Sequence, residues 1–168
     1  MIITSQLIYY HSKGSNVENN YLTLLQSDLR LGKGMRLSME IKSGIDIIEV
    51  DRIKKSIEDL GESFINRVYT ENEIEYCESK KKNKYQSYAA RFAAKEAAFK
   101  AISTLLKDKY SVSWKNVETI NNEDGKPEVK FVALTKEVEK ELNKIVSIDV
   151  SISHLKEYAV ASVNILVQ

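Results

Sequence analysis

The residues with the clearest capacity for chemistry are Glu96 and Lys100, four apart in Arg91-Phe92-Ala93-Ala94-Lys95-Glu96-Ala97-Ala98-Phe99-Lys100-Ala101. On a helix this spacing sets a carboxylate and an ammonium one turn apart on a shared strip of surface. Alone, the pair reads as an exposed ion contact contributing about 0.3–0.5 kcal/mol. A second acid nearby in space would change that reading. Asp46 is the candidate, because it lies inside Gly44-Ile45-Asp46-Ile47-Ile48-Glu49-Val50-Asp51-Arg52-Ile53, which begins as an apolar run of strand character. Aspartate is depleted in strands and costly to bury unpaired, so Asp46 calls for a cation.

The elements that must position these residues follow from local patterns. The stretch around Glu96 has strong helix formers and no Gly, Pro or β-branched residue, and a long helix is predicted over Tyr85–Leu106. Its alanines Ala90, Ala93, Ala94, Ala97, Ala98 and Ala101 gather on one flank, smooth enough for close packing on a sheet. Before it, a helix through Leu60 is stopped by Gly61, and Thr70 with Glu73 forms a capping-box pattern that starts another. Lys80-Lys81-Lys82-Asn83-Lys84 reads as a solvated loop. After it, Val112-Ser113-Trp114, Val117–Ile120 and Val129–Val132 read as strands, with a turn at Asn122–Pro127. A charged helix over Thr135–Leu142 precedes two strands, Val146–His154 and Tyr158–Val167. The order predicts an α+β fold: a mostly antiparallel sheet packed on a long central helix.

Composition narrows the classes. Hydrophobic content of 43% supports a sizeable core in 168 residues. A net charge of +1 gives no global case for nucleic acid or a membrane surface. The single cysteine, Cys77, lacks a CxxC or histidine neighbour, which points to a reduced, cytoplasmic setting. No apolar run reaches membrane-spanning length. Residues 1–38 differ in texture, with a polar stretch at 15–20 and a break at Gly32-Lys33-Gly34. The functional domain is therefore expected over 39–168. Residues 1–38 read as an extension or as an upstream start chosen in error.

The motifs Gly44–Ile53, Arg91–Ala97, Gly125-Lys126-Pro127 and Ser151-Ile152-Ser153-His154 before Tyr158-Ala159-Val160-Ala161 closely resemble the holo-acyl-carrier-protein synthases. These are the small, single-lobed members of the phosphopantetheinyl transferase superfamily. The resemblance spans Met39 to Gln168, with the motifs in family order. It implies transfer of the phosphopantetheine arm of coenzyme A onto a serine of an apo acyl carrier protein, releasing adenosine 3',5'-bisphosphate, in the service of fatty acid biosynthesis. It also implies Mg2+ held by Asp46 and Glu96, a cation that takes one or two carboxylates plus substrate phosphates. Lys100, His154 and, less directly, Lys95 are then the coenzyme contacts, and Glu96, Lys100 and His154 the catalytic side chains. The base that takes the serine proton stays open between Glu96 and a metal-bound water. Arg52, Lys54, Lys55 and Arg67 would face the acidic carrier, although Glu58, Asp59 and Glu62 sit where the family is often basic. The family forms homotrimers with the active site at the boundary between protomers.

One departure bears on activity. The family usually follows Lys-Ala with a Gly-Thr-Gly loop, whereas this chain has Lys100-Ala101-Ile102-Ser103-Thr104-Leu105-Leu106. Glycine permits close backbone approach that Ser103 and Leu105 resist. The helix is expected to run on here, and the alternative reading is an impaired coenzyme A or carrier-protein binding module.

Overall fold

The computed structural model describes residues 38–168, so the expected extension lies, but for Ser38, outside the described residues. Strand β1 (Glu40–Glu49) leads into α1 (Val50–Leu60), α2 (Glu62–Val68), α3 (Glu71–Ser79) and the long α4 (Lys84–Ile102). A hairpin of β2 (Val117–Asn121) and β3 (Pro127–Phe131) follows, then α5 (Lys136–Leu142), β4 (Ile145–His154) and β5 (Tyr158–Val167). The last two strands and β1 form an antiparallel sheet in the order β1-β5-β4. The expected α+β arrangement is the one observed.

The sheet's inner face is set by β5, whose Ala159, Ala161, Val163 and Ile165 are buried against the alanine flank of α4. Opposite partners across a ladder share a face. Gly44 pairs with Val163, Asp46 with Ala161 and Ile48 with Ala159, so this trio of β1 turns toward the helix. At Gly44 the backbones meet: a Cβ there would fall on the Ala97 carbonyl oxygen and lie 2.9 Å from the Ala101 amide nitrogen. A strand glycine that admits a neighbouring backbone is the physical meaning of this position. Gly44→Ala is expected to push β1 off α4 and cost about 1–3 kcal/mol, seen as a lowered midpoint in thermal melting; an unchanged midpoint would show that the strand and helix have room to part.

The predicted punctuation holds at Gly61, which has φ 58° and donates to Ile57 O, and at Gly125, with φ 80° in the β2–β3 turn. Two expectations differ. The long helix ends at Ile102 rather than Leu106, because the Ser103 hydroxyl donates to Lys100 O at 2.8 Å and Leu105 N folds back onto Ile102 O at 2.8 Å. The segment 112–114 is not a strand. Ser113 donates from both its amide and its hydroxyl to Asn116 Oδ1, and this local closure winds Trp114–Asn116 into a 3-10 turn.

Cys77 is fully buried, and burial pushes its thiol up to about 12, which leaves it inert at neutral pH.

Candidate active site

The juxtaposition of β1 and α4 at Gly44 carries Asp46 to the side chain of Lys100. Lys100 Nζ donates to Asp46 Oδ1 and to Ile45 O, each at 2.8 Å. Asp46 is largely covered, with 16% of its side chain exposed, while Lys100 is 52% exposed and free to swing. Asp46 thus has the cation its place in a strand demands. Glu96 stands about one turn earlier on the same strip of α4, roughly 6 Å along the axis. Its Oε1 accepts from Trp114 Nε1 at 2.7 Å, and Oε2 has no partner among the described residues.

Glu96 lines a cavity of about 560 Å³ together with Arg67, Phe99, Ser103, Tyr110 and Trp114 among others, and the Asp46–Lys100 pair follows one turn further along α4. The cavity is a fitting size for a small-molecule ligand. No group of three or more His, Cys, Asp or Glu side chains suited to a cation occurs among the described residues. The donor set, two hard carboxylate groups, suits a magnesium ion that completes its coordination with water and substrate phosphate.

Lys95, expected at the coenzyme, is placed elsewhere and that expectation is corrected. It is fully buried, with Nζ 2.7 Å from Glu73 Oε2, donating also to Trp114 O at 2.8 Å and to Val117 O. An ammonium has three hydrogens, and these partners take all of them. Burial pulls its titration below the usual lysine range, against the opposing pull of Glu73. Glu73 is itself buried: Oε2 accepts from Thr70 N, completing the predicted capping box, and Oε1 accepts from Thr119 N.

His154 is exposed at the end of β4, opposite Ala159, which in turn pairs with Ile48. Two strand spacings, roughly 10 Å, separate β4 from β1, so a single protomer does not bring His154 to Asp46. Of the basic residues expected at a carrier, Arg52 and Arg67 line one cleft with Phe92 and Trp114. Lys54 turns instead toward Tyr85 and Glu58, and Lys55 is exposed.

Two residues were missed in the sequence. Trp114 reaches Glu96, and Arg91 is buried with its Nε unpartnered among the described residues, beside a second cavity of about 350 Å³. An indole N–H that is even partly buried needs an acceptor, which was the available signal for the first.

Comparison with known proteins gives the family and the fold. Residues 42–163 match the family model of the 4'-phosphopantetheinyl transferase superfamily. A holo-[acyl-carrier-protein] synthase of Ruminiclostridium cellulolyticum is 50% identical over 123 residues, covering 73% of this chain and 90% of that protein. Among solved structures, the holo-(acyl-carrier-protein) synthase of Bacillus anthracis in complex with CoA (3',5'-ADP) is 33% identical with a TM-score of 0.60, covering 78% of this chain and all of that one. The Helicobacter pylori synthase in complex with coenzyme A is 29% identical with a TM-score of 0.60, covering 73% and 98%.

Proposed function

This chain belongs to the 4'-phosphopantetheinyl transferase superfamily, as a holo-acyl-carrier-protein synthase, and from that membership we propose how its residues carry out the transfer. A serine hydroxyl of the apo carrier attacks the phosphorus nearer the pantetheine of coenzyme A. The P–O bond to the adenosine half breaks, and adenosine 3',5'-bisphosphate leaves with the charge.

The observation that carries the reading is the contact of Lys100 with Asp46, one turn of α4 from Glu96, which lines the cavity. Asp46 and Glu96 would hold the magnesium ion, which when bound supplies charge neutralisation at the pyrophosphate. Lys100 already rests on Asp46 as a cation. Being half exposed, it can move to a phosphate and offset the negative charge gathering on the leaving group. Glu96 and a water at the site are the two candidate acceptors for the serine proton. Lys100→Ala is expected to lower kcat about 10²–10³-fold, measured as release of adenosine 3',5'-bisphosphate from coenzyme A and apo carrier protein by liquid chromatography. Wild-type turnover in that variant would remove Lys100 from the mechanism. The same chromatogram tests the reaction itself: no nucleotide released by the wild type with any apo carrier overturns it.

The carrier would approach over Arg52 and Arg67, whose cleft adjoins Trp114. We assign the transferase domain to residues 39–168 and its setting to the cytoplasm; no described helix is long and apolar enough to cross a membrane. Association into a homotrimer is supported by the outer sheet face, where Ile41, Ile45 and Ile47 are 72%, 64% and 65% exposed. His154 would then meet coenzyme A from a neighbouring protomer.

The impaired-module reading rested on the missing glycines, of which the backbone bears on one part, the need for a left-handed conformation. Ser103 has φ −53° and ψ −32°, a conformation open to any residue. Leu105 is not among the described residues with positive φ.

A further inference from the structure

Trp114 is gripped by two consecutive residues of α4. Lys95, itself fixed by Glu73, donates to the Trp114 carbonyl at 2.8 Å. Glu96 accepts from the Trp114 indole N–H at 2.7 Å. The ring has further neighbours: Phe92 lies tilted by 34° with centroids 6.1 Å apart, and the Arg67 guanidinium lies over it, 5.9 Å from its centre. The indole therefore cannot turn freely. A hydrogen-bond donor fixed on one carboxylate oxygen also fixes where the other oxygen points, and Glu96 Oε2 is the one left without a described partner. Outer partners of this kind orient metal-binding carboxylates and alter metal affinity about 10–100-fold when removed.

We infer that Trp114 is a positioning residue that aims the Glu96 carboxylate for the cation, and that the buried Glu73–Lys95 pair acts on the site through the Trp114 backbone. This rests on the assignment of Glu96 as a metal-holding residue. Packing alone would need the ring but not its N–H; the inference concerns the N–H.

The test is Mn2+ binding to the full-length protein with coenzyme A present, read as free Mn2+ by electron paramagnetic resonance, for wild type, Trp114→Phe and Glu96→Ala. Trp114→Phe keeps an aromatic ring against Phe92 and Arg67, so its melting temperature should stay close to that of the wild type, while its Mn2+ affinity should fall about tenfold or more. Glu96→Ala should lose most binding. Trp114 is the chain's single tryptophan, which gives a second readout that needs no variant at Trp114. Bound Mn2+, a paramagnetic quencher, should dim its emission in the wild type along the same binding curve. Full Mn2+ affinity in Trp114→Phe, with binding lost in Glu96→Ala, overturns the positioning role and leaves the metal assignment standing. Full affinity in Glu96→Ala overturns the metal assignment and the inference with it. If Trp114→Phe does not fold, the wild-type emission decides: saturation with Mn2+ and no quenching overturns the inference.

Discussion

Glu96→Ala should yield a folded protein that no longer modifies its carrier, with kcat/KM down by about 10³-fold or more, the scale on which loss of a charge-stabilising group acts. Asp46→Ala should do the same. Glu96 is only partly buried, and among the described residues its one hydrogen-bond partner is the indole of Trp114. Removing it therefore takes little from the core. Asp46 is also partly buried, and its partner Lys100 is half exposed and can return to water when the carboxylate is gone. Neither change leaves an ion stranded in the interior, which is why activity and stability should separate. The check is a pair of measurements on each variant: rate of carrier modification against magnesium concentration, and a thermal melt. Either variant retaining full rate would remove that residue from the proposed site.

Lys95→Met should have the opposite profile. It strands the Glu73 carboxylate in the interior, and Glu73→Ala strands the Lys95 ammonium; both side chains are fully buried and 2.7 Å apart. Breaking such a pair costs about 3–5 kcal/mol, a large share of the roughly 5–15 kcal/mol that holds a domain of this size together. Glu73→Ala also removes the capping-box acceptor at the start of α3 and the acceptor for Thr119 N at β2. The double variant should be less destabilised than the sum of the two, because the second change removes the stranded charge. Urea unfolding of the two single variants and the double checks this. A Lys95→Met protein within about 1 kcal/mol of wild type would show that its ammonium is not committed to Glu73. A raised KM for coenzyme A with unchanged stability would return Lys95 to the coenzyme.

The contrast between these adjacent lysine and glutamate residues marks what the sequence can reveal. Asp46 was legible because an acid is out of place in an apolar strand, and Lys100 followed from its helical spacing to Glu96. Their contact across 54 positions was not legible from spacing; it depends on Gly44, whose missing Cβ lets β1 reach α4. Lys95 carries the same charge as Lys100, but Phe92, Ala98 and Phe99 stand one turn either side of it, a sign of burial that helical geometry makes available. Its partner could not be found this way, since Glu73 already had a role as the capping residue. Trp114 escaped for a related reason: alternation around it suggested a strand, and the Ser113–Asn116 hydrogen bonds that wind it into a turn depend on side-chain chemistry that periodicity does not register. Gly61, Gly125 and the whole of β5 were legible because a turn residue or a period of two is a local property.

The central claim is that this chain moves the phosphopantetheine arm from coenzyme A to a carrier serine through Asp46, Glu96 and Lys100. Its most direct test is intact-mass spectrometry of an apo acyl carrier protein after incubation with the purified chain, coenzyme A and Mg2+, with chelator and Glu96→Ala as controls. The expected result is a carrier heavier by one phosphopantetheine group, and no such gain in either control. A carrier that stays at its apo mass with the wild type, across fatty-acid and polyketide-type carriers, would contradict the claim, as would a full gain with Glu96→Ala.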